Sequence, residues 1–87
     1  MARVIIPSLM RDLTGGQAEV EAEGRTLAEL VHNLDARYPG VAGRLLVGGQ
    51  LDPALIAIVD GRPASLGLRA RVERDSEVRF VPAVGGG

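Results

Sequence analysis

One segment of this 87-residue chain limits its fold more than any other: a single well-marked amphipathic helix set among runs that read as strands. Thr26 followed by Glu29 forms a capping box, in which the two side chains satisfy orphan backbone N–H groups at a helix start. Losing the Thr26 cap would cost about 1 kcal/mol. The apolar stripe behind it, Leu27, Leu30, Val31, Leu34 and Tyr38, has helical spacing. Tyr38-Pro39-Gly40 ends the helix, because proline disfavours helical geometry in the residue before it. One such stripe needs one surface to cover it, and the remaining segments must build that surface.

Those segments read as strands and turns. Arg3 to Pro7 is a short apolar run, and Thr14-Gly15-Gly16-Gln17 is a turn signal. Beyond it Ala18, Val20 and Ala22 alternate with Glu19, Glu21 and Glu23, so an apolar face points inward and a carboxylate face meets water. The two runs together predict a β-hairpin. Val41 to Val47 reads as one further helical turn and Gly48 to Pro53 as a loop. Ala54 to Asp60 is nearly continuous in apolar residues and predicts a strand buried on both faces. Asp60-Gly61 signals a tight turn; in residues 62–76, Leu66 and Leu68 are expected to anchor a loop and Asp75-Ser76 to turn the chain. Glu77 to Pro82 is the last strand, with Val78 and Phe80 on one face and Arg79 and Val81 on the other.

A helix crossing one face of a mixed sheet of about four to five strands buries every one of these stripes at once. The expected fold class is therefore α+β, and specifically the β-grasp, or ubiquitin-like, arrangement. Residues 1–83 form the domain and residues 84–87 a flexible C-terminal glycine tail. At this length one modest core is possible, and hydrophobic residues, 46% of the chain, suffice to build it.

Composition removes several kinds of chemistry. The absence of cysteine excludes a disulfide framework, a thiolate metal site and a cysteine nucleophile, and points to a cytoplasmic protein. No apolar run approaches the roughly 20 residues needed to cross a bilayer, and a formal charge of −1 indicates no nucleic-acid surface. Every basic residue is arginine, so the chain has no side-chain amine to accept an isopeptide link and cannot form lysine-linked polymers of itself. His32, the lone histidine, lies beside the apolar stripe with no second ligand at metal spacing, so no metal site is expected. Gly15-Gly16-Gln17 spells the tripeptide with which peptide-release factors hydrolyse peptidyl-tRNA, but in a short chain that is not basic it reads as a turn.

The sequence ends Pro82-Ala83-Val84-Gly85-Gly86-Gly87. Glycines gain nothing from burial and lose the most entropy on ordering, so these residues are expected to be disordered in the free protein. An extended tail spans roughly 3.3–3.6 Å per residue and, lacking Cβ atoms, passes through a slot too narrow for other residues. Its end bears a carboxylate that an enzyme can activate with ATP. A frayed terminus is the plain alternative.

Several stretches carry a resemblance that changes this balance. They are Ile5-Ile6-Pro7, the Thr14–Gln17 turn, the capped helix ending in Tyr38-Pro39-Gly40, Val59-Asp60-Gly61, and above all the run from Asp75 through Phe80-Val81-Pro82-Ala83-Val84 into terminal glycines. Over nearly its whole length the chain resembles the MoaD/ThiS family of ubiquitin-like sulfur carriers, most of all the actinobacterial carriers that supply sulfur for cysteine synthesis. The resemblance implies that an E1-like enzyme adenylates the Gly87 carboxylate, that a sulfur donor displaces AMP, and that the resulting thiocarboxylate passes its sulfur to an acceptor enzyme. That acceptor is a cysteine synthase-like enzyme or the large subunit of molybdopterin synthase. Gly86 and Gly87 are the functional pair, and Gly85 stands where family members commonly place another small residue. The carrier itself supplies no catalytic residue and binds no cofactor. Leu66, Leu68, Arg79, Val81 and Val84 are candidate partner contacts, and Arg69, Arg71 and Arg74 are expected near the tail root. Two other functions remain open at this point: covalent modification of target lysines through Gly87, and a non-covalent regulatory module with an incidental tail.

Overall fold

The computed structural model describes residues 1–83. The tail expected at residues 84–87, with Val84, Gly85, Gly86 and Gly87, lies outside the described residues. Five strands form the main sheet: β1 (Ala2–Ile5), β2 (Glu19–Ala22), β5 (Leu55–Val59), β6 (Arg62–Pro63) and β7 (Glu77–Pro82), in the order β2-β1-β7-β5-β6. The centre is the parallel pair β1–β7, with Arg3 opposite Glu77 and Ile5 opposite Arg79; the other pairings are antiparallel. This is the mixed five-stranded β-grasp sheet expected from the pattern.

Helix α1 (Leu27–Arg37) covers one face, burying Leu27, Leu30, Val31 and Leu34 against Val4, Val20, Ala57, Val78 and Phe80 of the sheet. Thr26 Oγ1 accepts from Glu29 N at 3.2 Å as the cap requires. The Glu29 carboxylate, however, accepts from Arg25 N at 3.0 Å, one residue earlier than a standard capping box. Helix and sheet approach so closely at Gly24 that a Cβ there would lie 2.5 Å from the Leu30 backbone nitrogen. At the other end of α1, Asp35 Oδ1 accepts from Gly40 N and Ala42 N at 3.1 and 3.0 Å, fixing the corner into the short helix α2 (Val41–Leu45).

Four expectations need correction. β1 and β2 pair, yet residues 6–18 between them hold a 3₁₀ helix at Ser8–Thr14, so they do not form a tight hairpin. Thr14–Gln17 turns the chain after that helix, with Gln17 Nε2 donating back to Thr14 O at 3.1 Å and, more distantly, to the Tyr38 hydroxyl at 3.5 Å. The loop expected over Gly48–Pro53 contains half of a small hairpin, β3 (Leu46–Val47) with β4 (Gln50–Leu51). Gly48 and Gly49 both have positive φ, as a two-residue primed turn demands. β5 is not buried on both faces: Ala57 is covered, while Ile56 points to the uncovered side of the sheet and is 39% exposed. Leu68 packs against the core, but Leu66 is 62% exposed and anchors nothing.

The Asp60-Gly61 turn joins β5 to β6 and also locks the start of β7. Asp60 accepts from Ser76 Oγ at 2.7 Å and from Glu77 N at 2.9 Å, and Ser76 is buried. The Ser76 hydroxyl, then the Glu77 N–H, hold the Asp60 carboxyl below its ordinary value of 3.8. A carboxyl lowered on folding stabilises the native state above its unfolded pKa and loses that contribution as pH falls through the folded value. Asp60→Asn, which tolerates the same positive φ, is expected to cost about 1 kcal/mol at pH 7 once solvent screening of this exposed group is allowed for. In urea titrations the gap between variant and parent should close as pH falls from about 5 to below 3; a gap independent of pH would contradict the assignment.

Candidate functional site

The candidate site is the end of the sheet where β7 finishes. β7 is hydrogen-bonded on both sides, to β1 and to β5, and its pairing continues past Pro82: Ala83 N donates to Ala54 O at 2.8 Å. The partner turn is itself fixed, because Ala54 N donates to Asp52 Oδ1 at 2.8 Å and Leu55 N to Asp52 O at 2.9 Å. Ala83 therefore ends the described chain in an anchored, central position.

The side of the sheet away from α1 adjoins this root. Alternation along each strand puts Val81 and Arg79 of β7 on that side, and the register sets them opposite Ile56 and Ile58 of β5. Ile5 of β1 pairs with Arg79 from the other side. The result is an apolar strip of Ile5, Ile56, Ile58 and Val81 around one guanidinium. Arg79 Nε donates to Glu77 Oε1 at 2.8 Å; this bond, more than simple charge attraction, lowers the Glu77 carboxyl and raises Arg79. Because β1 runs parallel to β7, the 3₁₀ helix that follows it starts at the same end of the sheet. Its Leu9 is 87% exposed. Arg44 holds this helix through Leu9 O at 3.0 Å and Asp12 at 3.3 Å.

Of the predicted contacts, the structure thus brings Arg79 and Val81 together beside the root. It does not bring Leu66 and Leu68 there: they belong to the segment at the second 3₁₀ helix (Gly67–Arg69), which packs against α1 and β4 on the helix side. Val84 and the glycines Gly85, Gly86 and Gly87 lie outside the described residues. Arg69, Arg71 and Arg74, expected near the tail root, line a groove with Met1, Ala2 and Glu23, at the end of the sheet where β1 and β7 begin. Chain proximity to β7 misled that expectation, since the strand carries its C-terminal end away from residues 69–76. Ile5, Ile56, Ile58 and Leu9 were missed; only the placement of strands in the sheet distinguishes their side from the core side. Among the described residues there is no group of three or more metal-ligating side chains, and no helix is long and apolar enough to cross a membrane.

An α1-covered mixed sheet whose last strand is central, ending beside an uncovered apolar strip, defines a ubiquitin-like β-grasp protein. The chain belongs to the ThiS family, whose profile matches residues 4–87. It is 35% identical over 89 aligned residues to the sulfur carrier protein CysO of Mycobacterium tuberculosis, covering 97% of this chain and 96% of that protein. Among solved structures, CysO in the Amycolatopsis orientalis BexX/CysO complex superposes with a TM-score of 0.91 at 31% identity, over the whole of both chains. Mycobacterium tuberculosis CysO superposes at 0.89 and 31% identity, over 97% of this chain and all of that one.

Proposed function

We propose that this protein is a sulfur carrier acting through the carboxylate of Gly87, with cysteine biosynthesis as the favoured destination. The observation that carries this reading is the anchored central strand β7, whose last residues lie beside the strip of Ile5, Ile56, Ile58 and Val81, in a chain of the ThiS family. An E1-like partner joins the Gly87 carboxylate oxygen to the α-phosphorus of ATP and releases pyrophosphate. Sulfide sulfur then attacks the acyl carbon and AMP leaves, so that one carboxylate oxygen is replaced by sulfur. The thiocarboxylate sulfur bonds to the acceptor enzyme's substrate, and attack on the Gly87 acyl group, finally by water, releases the sulfur-bearing product and returns the carboxylate. Gly85 and Gly86 provide a passage without side chains, and Arg79 and Val81 contact partners together with the neighbouring isoleucines. The protein is a co-substrate and not an enzyme: it positions one reactive atom at high effective concentration in another protein's site. An ATP-dependent cycle of this kind belongs in the cytoplasm.

Incubation with ATP, sulfide and an E1-like enzyme of a cysteine-forming system tests the reading by intact mass. One oxygen should be exchanged for one sulfur in the C-terminal fragment, and Ile56→Glu should slow the exchange about tenfold or more by placing a charge in the apolar docking strip. No exchange with an activating enzyme that loads a related carrier would overturn it.

A further inference from the structure

The arginines of this chain divide into two groups. Arg3 and Arg79 are paired with Glu77 at 4.0 and 2.8 Å, and Arg44 with Asp12 at 3.3 Å. Arg11 donates to Ile6 O at 3.1 Å and Arg37 to Glu21 O at 2.7 Å. The side chains of Arg25, Arg62, Arg69, Arg71 and Arg74 make no hydrogen bond or ion pair among the described residues. Of these, Arg25, Arg69, Arg71 and Arg74 line one open groove of about 950 Å3. Its walls are residues 69–74 on one side and the end of β2 with the start of α1 on the other, tied together by Val72 N donating to Arg25 O at 2.9 Å and Leu27 N to Ala70 O at 2.9 Å. In a chain of net charge −1, the arginines without partners are therefore concentrated at one place.

We infer that this groove is a docking site for an acidic segment of a partner protein. A guanidinium binds a carboxylate through two parallel hydrogen bonds and is weakly hydrated, so an arginine without a partner is ready to pair at an interface. The spread of charge chooses the ligand. The four arginines stand among the exposed carboxylates of Glu23, Glu29 and Glu73, which line the same groove. That pattern repels a compact polyphosphate and suits single carboxylates spaced along an extended peptide.

The groove lies where β7 begins, and the tail root lies where it ends. The six residues of β7 at about 3.3 Å each put roughly 20 Å between them, whereas four extended residues reach roughly 14 Å. A partner seated in the groove and an enzyme holding Gly87 thus occupy separate ends of the molecule, and the groove stays accessible while the tail is engaged.

The probe is a fluorescent decaglutamate peptide, titrated into the full-length protein with anisotropy and amide chemical shifts as readouts. Binding should weaken with salt, shift the amides of residues 23–29 and 69–74, and persist when residues 84–87 are removed. Arg71→Glu combined with Arg74→Glu should weaken it about tenfold or more at an unchanged melting temperature, since neither side chain has an internal partner to lose. Absence of binding, shifts confined to other residues, dependence on residues 84–87, or tighter binding of tripolyphosphate at the same amides would each overturn the inference. None of these readouts requires sulfur loading, so failure here and failure of the carrier reading are distinguishable.

Discussion

Removal of Gly86 and Gly87 abolishes sulfur loading, while the domain ending at Ala83 melts as the intact chain does. The two halves of this expected result have separate causes. Among the described residues the pairing of β7 runs as far as Ala83 N to Ala54 O at 2.8 Å, and removing the glycines leaves those bonds in place. In the proposed cycle the acyl carbon that receives sulfur belongs to Gly87, and a shortened chain would present its carboxylate roughly 7 Å short of the activating site. Gly86→Val tests passage apart from length: a β-branched side chain in a channel fitted to glycine should lower the rate of loading about 100-fold or more, because small misplacement of the reacting atom is that costly. Intact mass of the C-terminal fragment after a timed reaction measures both variants. A truncated chain that still acquires sulfur, or a valine variant loaded at the parental rate, would remove Gly87 from the proposed chemistry.

Leu30→Ala is expected to have the largest effect on stability. Leu30 is fully buried in the middle of α1 and belongs to the cluster that includes Val4, Val20, Val78 and Phe80. Truncation loses the transfer energy of the removed carbons and leaves a cavity, together about 2–5 kcal/mol. Native domains are stable by only about 5–15 kcal/mol, and one this small sits toward the lower end. The melting temperature should fall by roughly 10 °C or more. The backbone constraint at Gly24 makes matters worse, since the segment just after β2 lies directly against the Leu30 backbone and α1 has little freedom to collapse into the space. A loss below about 1 kcal/mol in chemical denaturation would mean that the site repacks.

What could be read from the sequence follows the range of the interactions involved. Helix α1 was legible from Thr26 to Tyr38 because its cap, stripe and stop are set by residues a few positions apart. The Asp60-Gly61 turn was legible for the same reason. β5 was placed along the chain, but its burial was misjudged. Ala-Leu-Ile-Ala-Ile-Val reads alike whether both faces are covered or one, and only its neighbours β7 and β6 decide the matter. The same missing information hid the strip of Ile5, Ile56, Ile58 and Val81, which assembles from three strands distant in sequence. It also allowed Arg69, Arg71 and Arg74 to be assigned to the wrong end. The Gly48-Gly49 turn was overlooked for a different reason: its strands are two residues each, too short for any alternation to register.

The position of β7 has a consequence for how the molecule is made. The final strand is the middle board of the floor, holding β1 on one side and β5 on the other. A polypeptide emerging from the ribosome can form α1 early, but its two outer pieces of sheet have nothing to join them until residues 77–82 arrive. Products broken off before that point remain open and are exposed to proteases. Completion of the sheet thus waits on the strand that immediately precedes the glycines, so a chain broken off before residue 77 cannot close.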